Sequence, residues 1–334
     1  MTAAFFLVSC TREQEHQAEF YIFGTVLEVV IWGASDRQAE KAFIQLNSLF
    51  NQMHQDWHAW EPGELVTINQ AFAEGRTASA SGDIIELISR SQVIERQTGG
   101  RFNPAIGALI ELWGFHTSDF PIMGPSPLRK DIQAILDQNP SSLDIEVRGN
   151  KLSTTNPLVQ LDFGGIAKGY AIDLACQKLR ELGIENAIVN AGGDLRAFGD
   201  HGSRPWRLGI RDPAGGMMGG VEAMGDEAIF TSGVYERFRM DQQERYPHIL
   251  DPKTGWPVQD IAAVTVITDE GLVADAAATA LIVAGKADWV AVARALGLRQ
   301  VLLIDGDGEV YVTPEMKKRV DWVENVEPIL VNMN

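Results

Sequence analysis

Hydrophobic and polar residues recur along this chain with two spacings, one typical of strands and one typical of helices. The stretch from Phe20 to Trp32 is rich in β-branched and aromatic residues. Because it is interrupted at Gly24, it predicts a strand or a bent hairpin arm. A helical spacing follows from Ser35 to Phe50, with Ser35 or Asp36 as the N-cap.

The rest of the chain mixes short strands with helices. A second helix is predicted from Asp83 to Gln97, ending at Gly99, and another is expected to follow Gly165. The other predicted helices are 104–113, 128–136, 273–283 and 288–296, and the predicted strands are 143–147, 151–153, 158–161, 187–189, 195–198, 206–210, 228–230, 235–239, 264–267, 300–304 and 309–312. The segment 215–220, GGMMGG, is expected to be a flexible loop. Because this order is neither a regular βαβ alternation nor all-β, the predicted fold class is α+β.

Charge and composition narrow the range of partners. The chain has 334 residues, with 45 acidic and 28 basic side chains and a formal net charge of −17. This balance argues against broad nucleic-acid binding, which depends on clustered Lys and Arg. It does not exclude an anionic ligand whose charge is offset by a metal or by local backbone dipoles.

The first residues, MTAAFFLVSC, are similar to the back half of a bacterial lipoprotein signal, whose box ends in a lipidated cysteine, here Cys10. The positively charged start of such a signal is missing, and the alternative is a frayed hydrophobic terminus. We expect 1–19 to be a signal remnant with a polar tether, and 20–334 to be the folded domain. The chain contains no run of 18 or more apolar residues, so the sequence predicts no membrane-spanning helix. Cys176, in a helical context, is expected to be a small core residue.

A glycine turn at 161–170, LDFGGIAKGY, stands between a predicted strand and a predicted helix. Exposed N–H groups at such a helix start attract anions, and Lys168 adds a cation one turn later. The alternative is that Asp162 caps the helix and that the glycines permit close packing.

Two further turns carry polar residues. The segment 189–194, VNAGGD, is a glycine turn between strands, and its simpler interpretation is a sharp hairpin. The region that begins with Thr-Ser-Gly at 231–233 continues to the rigid Asp-Pro turn at 251–255, which places His248 just before the turn. An isolated histidine of this kind is catalytic or merely structural.

The segment 274–280, ADAAATA, places Asp275 and Thr279 four residues apart, on one face of a helix. The surrounding alanines allow another segment to approach closely. A carboxylate and a hydroxyl suit a hard cation such as Mg²⁺. The alternative is an Asp N-cap with a threonine hydroxyl bonded to a backbone carbonyl.

Common signatures of nucleotide enzymes and hydrolases are absent from the sequence. There is no GxxxxGK[ST] loop, no GxGxxG after a strand, no HExxH and no GxSxG elbow. Ordinary kinases, Rossmann dehydrogenases, zinc proteases and α/β-hydrolases are therefore disfavoured.

Taken together and in this order, the four segments resemble the ApbE family, the FAD:protein FMN transferases. The resemblance runs from about Phe20 to the C-terminus and includes DFGGIAKGY at 162–170, NAGGD at 190–194, TSG at 231–233, HILDPKTGWP at 248–257 and ADAAAT at 274–279. It implies an ApbE-like α+β fold with mixed or antiparallel sheets and flanking helices, and FAD in a groove between them.

The resemblance also implies site residues. Phe23 stands where a Met is usual beside the flavin, and Trp60 stands where a Tyr is frequent. The other implied FAD-contacting positions are Trp113, Gly114, Phe115, Asp162, Lys168 and Leu250. The implied Mg²⁺ ligands are Asp275, Thr279 and the backbone carbonyl of Gly165.

The activity implied is Mg²⁺-dependent transfer of the FMN part of FAD to a Ser or Thr hydroxyl of an acceptor redox protein, with release of AMP. His248 is the first choice for a general base because its ordinary pKa lies near neutrality, and Asp251 is the second. Alternatives are an FAD pyrophosphatase that forms FMN and AMP, and a non-catalytic exported FAD-binding lipoprotein. The expected location is the bacterial periplasm, with a lipid anchor at Cys10 and an exported or membrane-bound acceptor subunit.

Overall fold

A computed structural model describes residues 14–117, 119–235 and 237–333. In chain order, the strands are β1 Glu15–Ile22, β2 Thr25–Trp32, β3 Ala78–Ser79, β4 Ile122–Met123, β5 Glu146–Arg148, β6 Lys151–Ser153, β7 Asn186–Ala191, β8 Asp194–Phe198, β9 Arg207–Arg211, β10 Met217–Glu222, β11 Glu227–Gly233, β12 Phe238–Asp241, β13 Glu244–Pro247, β14 Ile261–Thr268, β15 Gln300–Asp305, β16 Val310–Val312, β17 Val320–Trp322 and β18 Ile329–Leu330. The helices are α1 Asp36–Trp57, α2 Glu64–Ala73, α3 Gly82–Thr98, α4 Gly107–Trp113, α5 Arg129–Leu136, α6 Ala167–Glu181, α7 Gly271–Ala295 and α8 Pro314–Arg319, with a 3₁₀ turn at Ser142–Asp144. This is the α+β class that the sequence predicts.

The largest sheet has nine strands in the order β1-β2-β7-β8-β11-β14-β15-β16-β18. Its pairs are antiparallel except for β16 and β18, which are parallel. The predicted bent arm is the β1–β2 hairpin, in which Ile22 pairs with Thr25. The two-residue turn between them, Phe23-Gly24, has positive φ at both positions, 51° and 68°. This is the conformation that matches the twist of the strands.

Local capping explains where two of the predicted helices begin and end. Ser35 caps α1, and its hydroxyl and the Gln38 side chain form a reciprocal capping box. The helix continues past the predicted end at Phe50 to Trp57. Gly99 ends α3 in the left-handed conformation, with φ 60°. The predicted start of α1 and the predicted end of α3 are confirmed, whereas the predicted end of α1 at Phe50 is wrong.

Hydrophobic cores lie on both faces of the nine-stranded sheet. Side chains of α1, α3, α6 and α7 pack on one face, and the other face packs against the small sheet β17-β10-β9. A third cluster surrounds Trp113 and joins α4 and α5 to the segment after β13. Within the described part of the chain, α7 is the helix long and apolar enough to span a membrane by length and composition. Because α7 packs against α3, α6 and three strands of the sheet, we interpret it as a core helix.

Several details differ from the sequence predictions. Most of the GGMMGG segment is not a loop: residues 215–216 form a bend, and β10 begins at Met217 and pairs with both β9 and β17. Gly219 permits this pairing, because it lies against Val320 and the backbone of Asp321, where a side chain would clash. The predicted strand 158–161 is reduced to a single bridge at Gln160. The helix α2 is absent from the predictions.

Two predicted boundaries are also wrong. The two predicted helices over 273–296 are one helix, kinked at Gly285 with φ 66°. The predicted tether overlaps the first strand, since residues 15–19 belong to β1 and pair with β2. The predicted signal and its Cys10 lie outside the described residues.

Candidate active site

The N-terminal turns of α6 and α7 touch through two glycines. A Cβ built on Gly169 would lie 2.1 Å from the Gly271 carbonyl oxygen, so the contact leaves no room for a side chain. Further along α7, the Asp275 carboxylate accepts a 2.9 Å hydrogen bond from the Gly169 N–H. Just before α6, a Cβ on Gly165 would stand 3.2 Å from the Thr279 hydroxyl. The helix contact therefore gathers the three residues for which the resemblance implies a metal site.

The donor chemistry of this group fits a hard divalent cation. A carboxylate, a hydroxyl and a backbone carbonyl are oxygen ligands of the kind that Mg²⁺ accepts. Burial raises the pKa of Asp275 above its ordinary value; the Lys168 charge opposes this rise and the Asp194 charge adds to it. Across the described residues, no group of three or more His, Cys, Asp or Glu side chains could hold a metal ion. A metal bound here would therefore depend on the hydroxyl and carbonyl oxygens as well as the carboxylate.

Lys168 is held by a carboxylate that the sequence analysis did not select. Its ammonium group donates to Asp194, which is buried and also accepts a 2.9 Å hydrogen bond from the Thr231 N–H. Burial acts to lower the pKa of Lys168, but the carboxylates of Asp194 and Asp275 outweigh it and hold that pKa above its ordinary value. Asp194 thus ties the NAGGD and TSG segments to α6. Asp194 is the last residue of the NAGGD motif, but the simpler interpretation of that motif as a sharp hairpin gave its carboxylate no role.

Trp60 and Asp162 form a direct pair. The Trp60 indole N–H donates a 2.8 Å hydrogen bond to one carboxylate oxygen of Asp162, and the Gly164 N–H donates one of 2.7 Å to the other. The centroid of the half-buried Trp60 ring lies 5.2 Å from that of exposed His116. Asp162 therefore fixes both an aromatic ring and the glycine turn before α6. It does not cap this helix, because the N-cap is Ile166 and the Asp162 carboxylate bonds to the Gly164 N–H, ahead of the first turn, so the capping interpretation of Asp162 is wrong.

Phe23 lies at the tip of the β1–β2 hairpin and faces α1. Its N–H donates a 3.4 Å hydrogen bond to the His54 ring, and its own ring lies nearly parallel to that of Trp57, with 6.2 Å between centroids. The Phe23 side chain is half-buried in this arrangement.

Trp113, Phe115 and Leu250 are buried in the third core cluster. The Trp113 indole donates a 2.8 Å hydrogen bond to the Gly255 carbonyl, and its ring has no exposed surface. Gly114 ends α4 with φ 78°, and a side chain there would meet Arg239 at 2.7 Å. In this arrangement the Trp113 ring cannot stack on a ligand, so a contact from Trp113 would come from its backbone atoms.

His248 has a buried ring nitrogen, Nδ1, with no hydrogen-bond partner among the described residues. Burial and the positive charges of Arg237 and Lys168 lower its pKa to about 4, so the ring is neutral at physiological pH and able to accept a proton. Asp251 is placed differently: its carboxylate accepts from the Lys253 N–H at 2.9 Å, and its carbonyl accepts from the Gly255 N–H at 2.8 Å. These contacts give Asp251 the role of a turn residue and favour His248 as the base.

The α+β fold thus brings together a group of oxygen donors, a cationic glycine turn and nearby aromatic rings. Residues 23–302 match the family model described as "ApbE family", and the chain belongs to this family. This result confirms the resemblance carried by the sequence motifs.

Related proteins and solved structures agree with this assignment. A protein named FAD:protein FMN transferase from Rhodobacter capsulatus is 43% identical over 92% of the chain, and the chain spans 59% of that relative's length. A protein of the same name from Haemophilus influenzae is 27% identical, with 82% of each sequence covered. Among solved structures, the ApbE protein of Thermotoga maritima has a TM-score of 0.82 at 28% identity, with 92% of this chain and 99% of that chain covered. The flavin transferase ApbE from Vibrio cholerae has a TM-score of 0.79 at 27% identity, with the same coverage.

Proposed function

We propose that this protein transfers the FMN moiety of FAD to a Ser or Thr hydroxyl of an acceptor protein, forming a phosphoester and releasing AMP. The observation that carries the proposal is the contact between α6 and α7, which gathers Gly165, Asp275 and Thr279 beside the cationic Lys168. The proposal is supported by the relatives named FAD:protein FMN transferase.

Asp275, Thr279 and the Gly165 carbonyl would hold Mg²⁺. When bound, the metal ion supplies positive charge to phosphate oxygens during phosphoryl transfer. The chain adds its own donors, since Lys168 keeps N–H groups beyond the one used by Asp194. These groups bind and orient the pyrophosphate of FAD in a strongly acidic protein.

His248 accepts the proton of the attacking hydroxyl. The acceptor oxygen forms a bond with the FMN-side phosphorus, the bond from that phosphorus to the bridging oxygen breaks, and AMP leaves with that oxygen. The neutral ring suits this role. A strong base is not required, because loose phosphoryl-transfer transition states demand little activation of the nucleophile.

The metal assignment is tested with Asp275→Ala, assayed for AMP release and for the mass of the acceptor domain in the presence of FAD and Mg²⁺. Asp288→Ala is a matched control on the same helix, because Asp288 is exposed and pairs only with Arg101 among the described residues. We expect the first variant to lose flavin transfer and the control to keep it. Undiminished transfer by Asp275→Ala would overturn the metal site.

His248→Ala tests the base. We expect a loss of more than tenfold in rate, and a loss below tenfold, which corresponds to about 1.4 kcal/mol, would remove His248 from this role. The same assay without acceptor separates transfer from hydrolysis: AMP formed equally fast without an acceptor would identify an FAD pyrophosphatase. Recovery of intact FAD after long incubation with Mg²⁺ and acceptor would identify a carrier.

We further propose that the protein acts in the bacterial periplasm, anchored through a lipid on Cys10, on an exported or membrane-bound redox subunit. The sequence around Cys10 supports the anchor. Cys10→Ser should move the protein from the membrane fraction to the soluble fraction, and unchanged membrane association would contradict the lipid anchor. Mass spectrometry of cellular proteins for a flavin-phosphate adduct would identify the acceptor.

A further inference from the structure

Arg237 stands immediately before β12, between the hairpin tip and His248. Its backbone carbonyl accepts a 3.1 Å hydrogen bond from the His248 N–H. Its guanidinium extends over the hairpin turn, with Nη2 3.4 Å from the place where a Cβ on Gly24 would be. The Cζ atom is 5.6 Å from the centre of the Phe120 ring. One exposed cation therefore lies close to the turn that carries Phe23 and to the proposed base.

This guanidinium is not neutralised by a carboxylate or engaged by a carbonyl in the described structure. The neighbouring cations differ: Lys168 is paired with Asp194, and Arg239 donates to the carbonyls of Trp113 and Pro125. The Arg237 charge contributes to the lowered pKa of His248 and opposes the rise in the pKa of Lys168, as expected for a cation near both groups. The chain has a net charge of −17, yet Arg237 has no carboxylate partner among the described residues. Arg237 is therefore a candidate for binding an anionic ligand.

A guanidinium presents a planar fork of N–H donors that matches two oxygens of a phosphate group. In the proposed reaction, the hydroxyl that gives its proton to His248 attacks the FMN-side phosphorus, so that phosphate lies beside His248. The distances above place Arg237 next to His248 on one side and next to the flavin-side hairpin on the other. No comparable argument places the phosphate of the AMP half between His248 and the hairpin.

We propose that Arg237 binds the phosphate of the FMN half of FAD and stabilises the charge that this phosphate carries during transfer. This inference rests on the proposed function for the identity of the ligand. It adds to Lys168 a second cation, on a different segment of the chain, whose fork is free for the substrate.

The test compares Arg237→Gln and Arg237→Lys with the matched control Arg207→Gln. Arg207 is an exposed arginine of β9 that pairs with Glu222 and Asp321 in the small sheet, away from the site. Binding of FAD, FMN and riboflavin is measured by quenching of flavin fluorescence, and turnover is measured by AMP release with an acceptor domain.

We expect Arg237→Gln to weaken FAD and FMN binding by about tenfold or more while riboflavin binding stays within about twofold, since riboflavin has no phosphate. Turnover should fall by about 10²–10³-fold, as when a donor to a developing oxyanion is removed. Arg237→Lys should fall between this variant and the wild type, because it keeps the charge and loses the fork. The control should match the wild type.

Unchanged binding of FMN and FAD by Arg237→Gln would overturn the inference, and so would an equal loss for riboflavin, which would point to a structural role. Failure of the proposed function gives a different result. In that case the wild type itself would release no AMP and would not modify the acceptor, while the phosphate-dependent difference between FMN and riboflavin could still be measured.

Discussion

Substitution of Gly169 by Ala tests whether the contact between α6 and α7 builds the site. The Gly169 Cα lies against the Gly271 carbonyl group and the Leu272 nitrogen, where an added Cβ would lie 2.1 Å and 2.8 Å from the nearest oxygen and nitrogen. All of these neighbours are backbone atoms at the start of α7, so they cannot move aside as a flexible side chain would. The variant keeps every side chain of the proposed metal site.

The size of the disturbance follows from these distances. Real Cβ atoms essentially never approach other atoms closer than 3.0 Å, so the Gly271 carbonyl must retreat by about 0.9 Å. Overpacking of this kind typically costs about 1–3 kcal/mol of stability. The shift also stretches the 2.9 Å hydrogen bond from the Gly169 N–H to Asp275 and moves Asp275 and Thr279 away from Gly165. Since a misplacement of about 1 Å can cost about 100-fold in rate, we expect a loss of that order in FMN transfer.

Urea unfolding and AMP release with an acceptor domain measure the two effects. Gly82→Ala is the matched control, because Gly82 opens α3, has no neighbour within 4 Å of an added Cβ and does not have positive φ. We expect this control to leave stability within about 0.5 kcal/mol of the wild type and the rate unchanged. If Gly169→Ala behaves like Gly82→Ala in both assays, the helix contact does not position the site and the reasoning is refuted.

Three further predictions concern side chains around the same site. Asp194→Asn should lower the free energy of unfolding, measured in urea, by about 1–3 kcal/mol, because it leaves the partly exposed Lys168 ammonium without its carboxylate. An unchanged free energy of unfolding would contradict this. The His248-dependent rate should stay constant as the pH falls, until the pH approaches about 4, because burial and the Arg237 and Lys168 charges lower the pKa of His248 to that value. A His248-dependent decrease in rate near pH 6.5 would contradict this. Because the folded pKa is lowered, the stability linked to this neutral ring is complete above about 6.5 and is lost as pH falls toward 4. Trp60→Phe should cost about 1.5 kcal/mol of stability by removing the 2.8 Å hydrogen bond to Asp162, and equal urea midpoints for the variant and the wild type would show that this bond contributes little.

The features that the sequence predicts well depend on neighbouring residues. The Ser35 cap, the Gly99 stop and the apolar stripes of the helices act within one or two turns, and their pattern can be read directly from the chain. The motifs around Gly165, His248 and Asp275 identify the family for the same reason, since each is a short, ordered segment. The failures at 158–161 and 215–220 occur where pairing with a distant segment decides whether a strand forms.

The roles of individual site residues depend on contacts between distant parts of the chain. Trp60 meets Asp162 across 102 residues, and Asp275 meets the Gly169 N–H across 106 residues. Asp194 becomes the partner of Lys168, and Arg237 lies over the hairpin turn, only after the sheet and helices have assembled. The sequence by itself therefore determined the α+β class, the family and the segments that carry the chemistry. The tertiary structure alone decided which of those side chains are buried, paired or free, because burial and charge pairing are set by long-range packing.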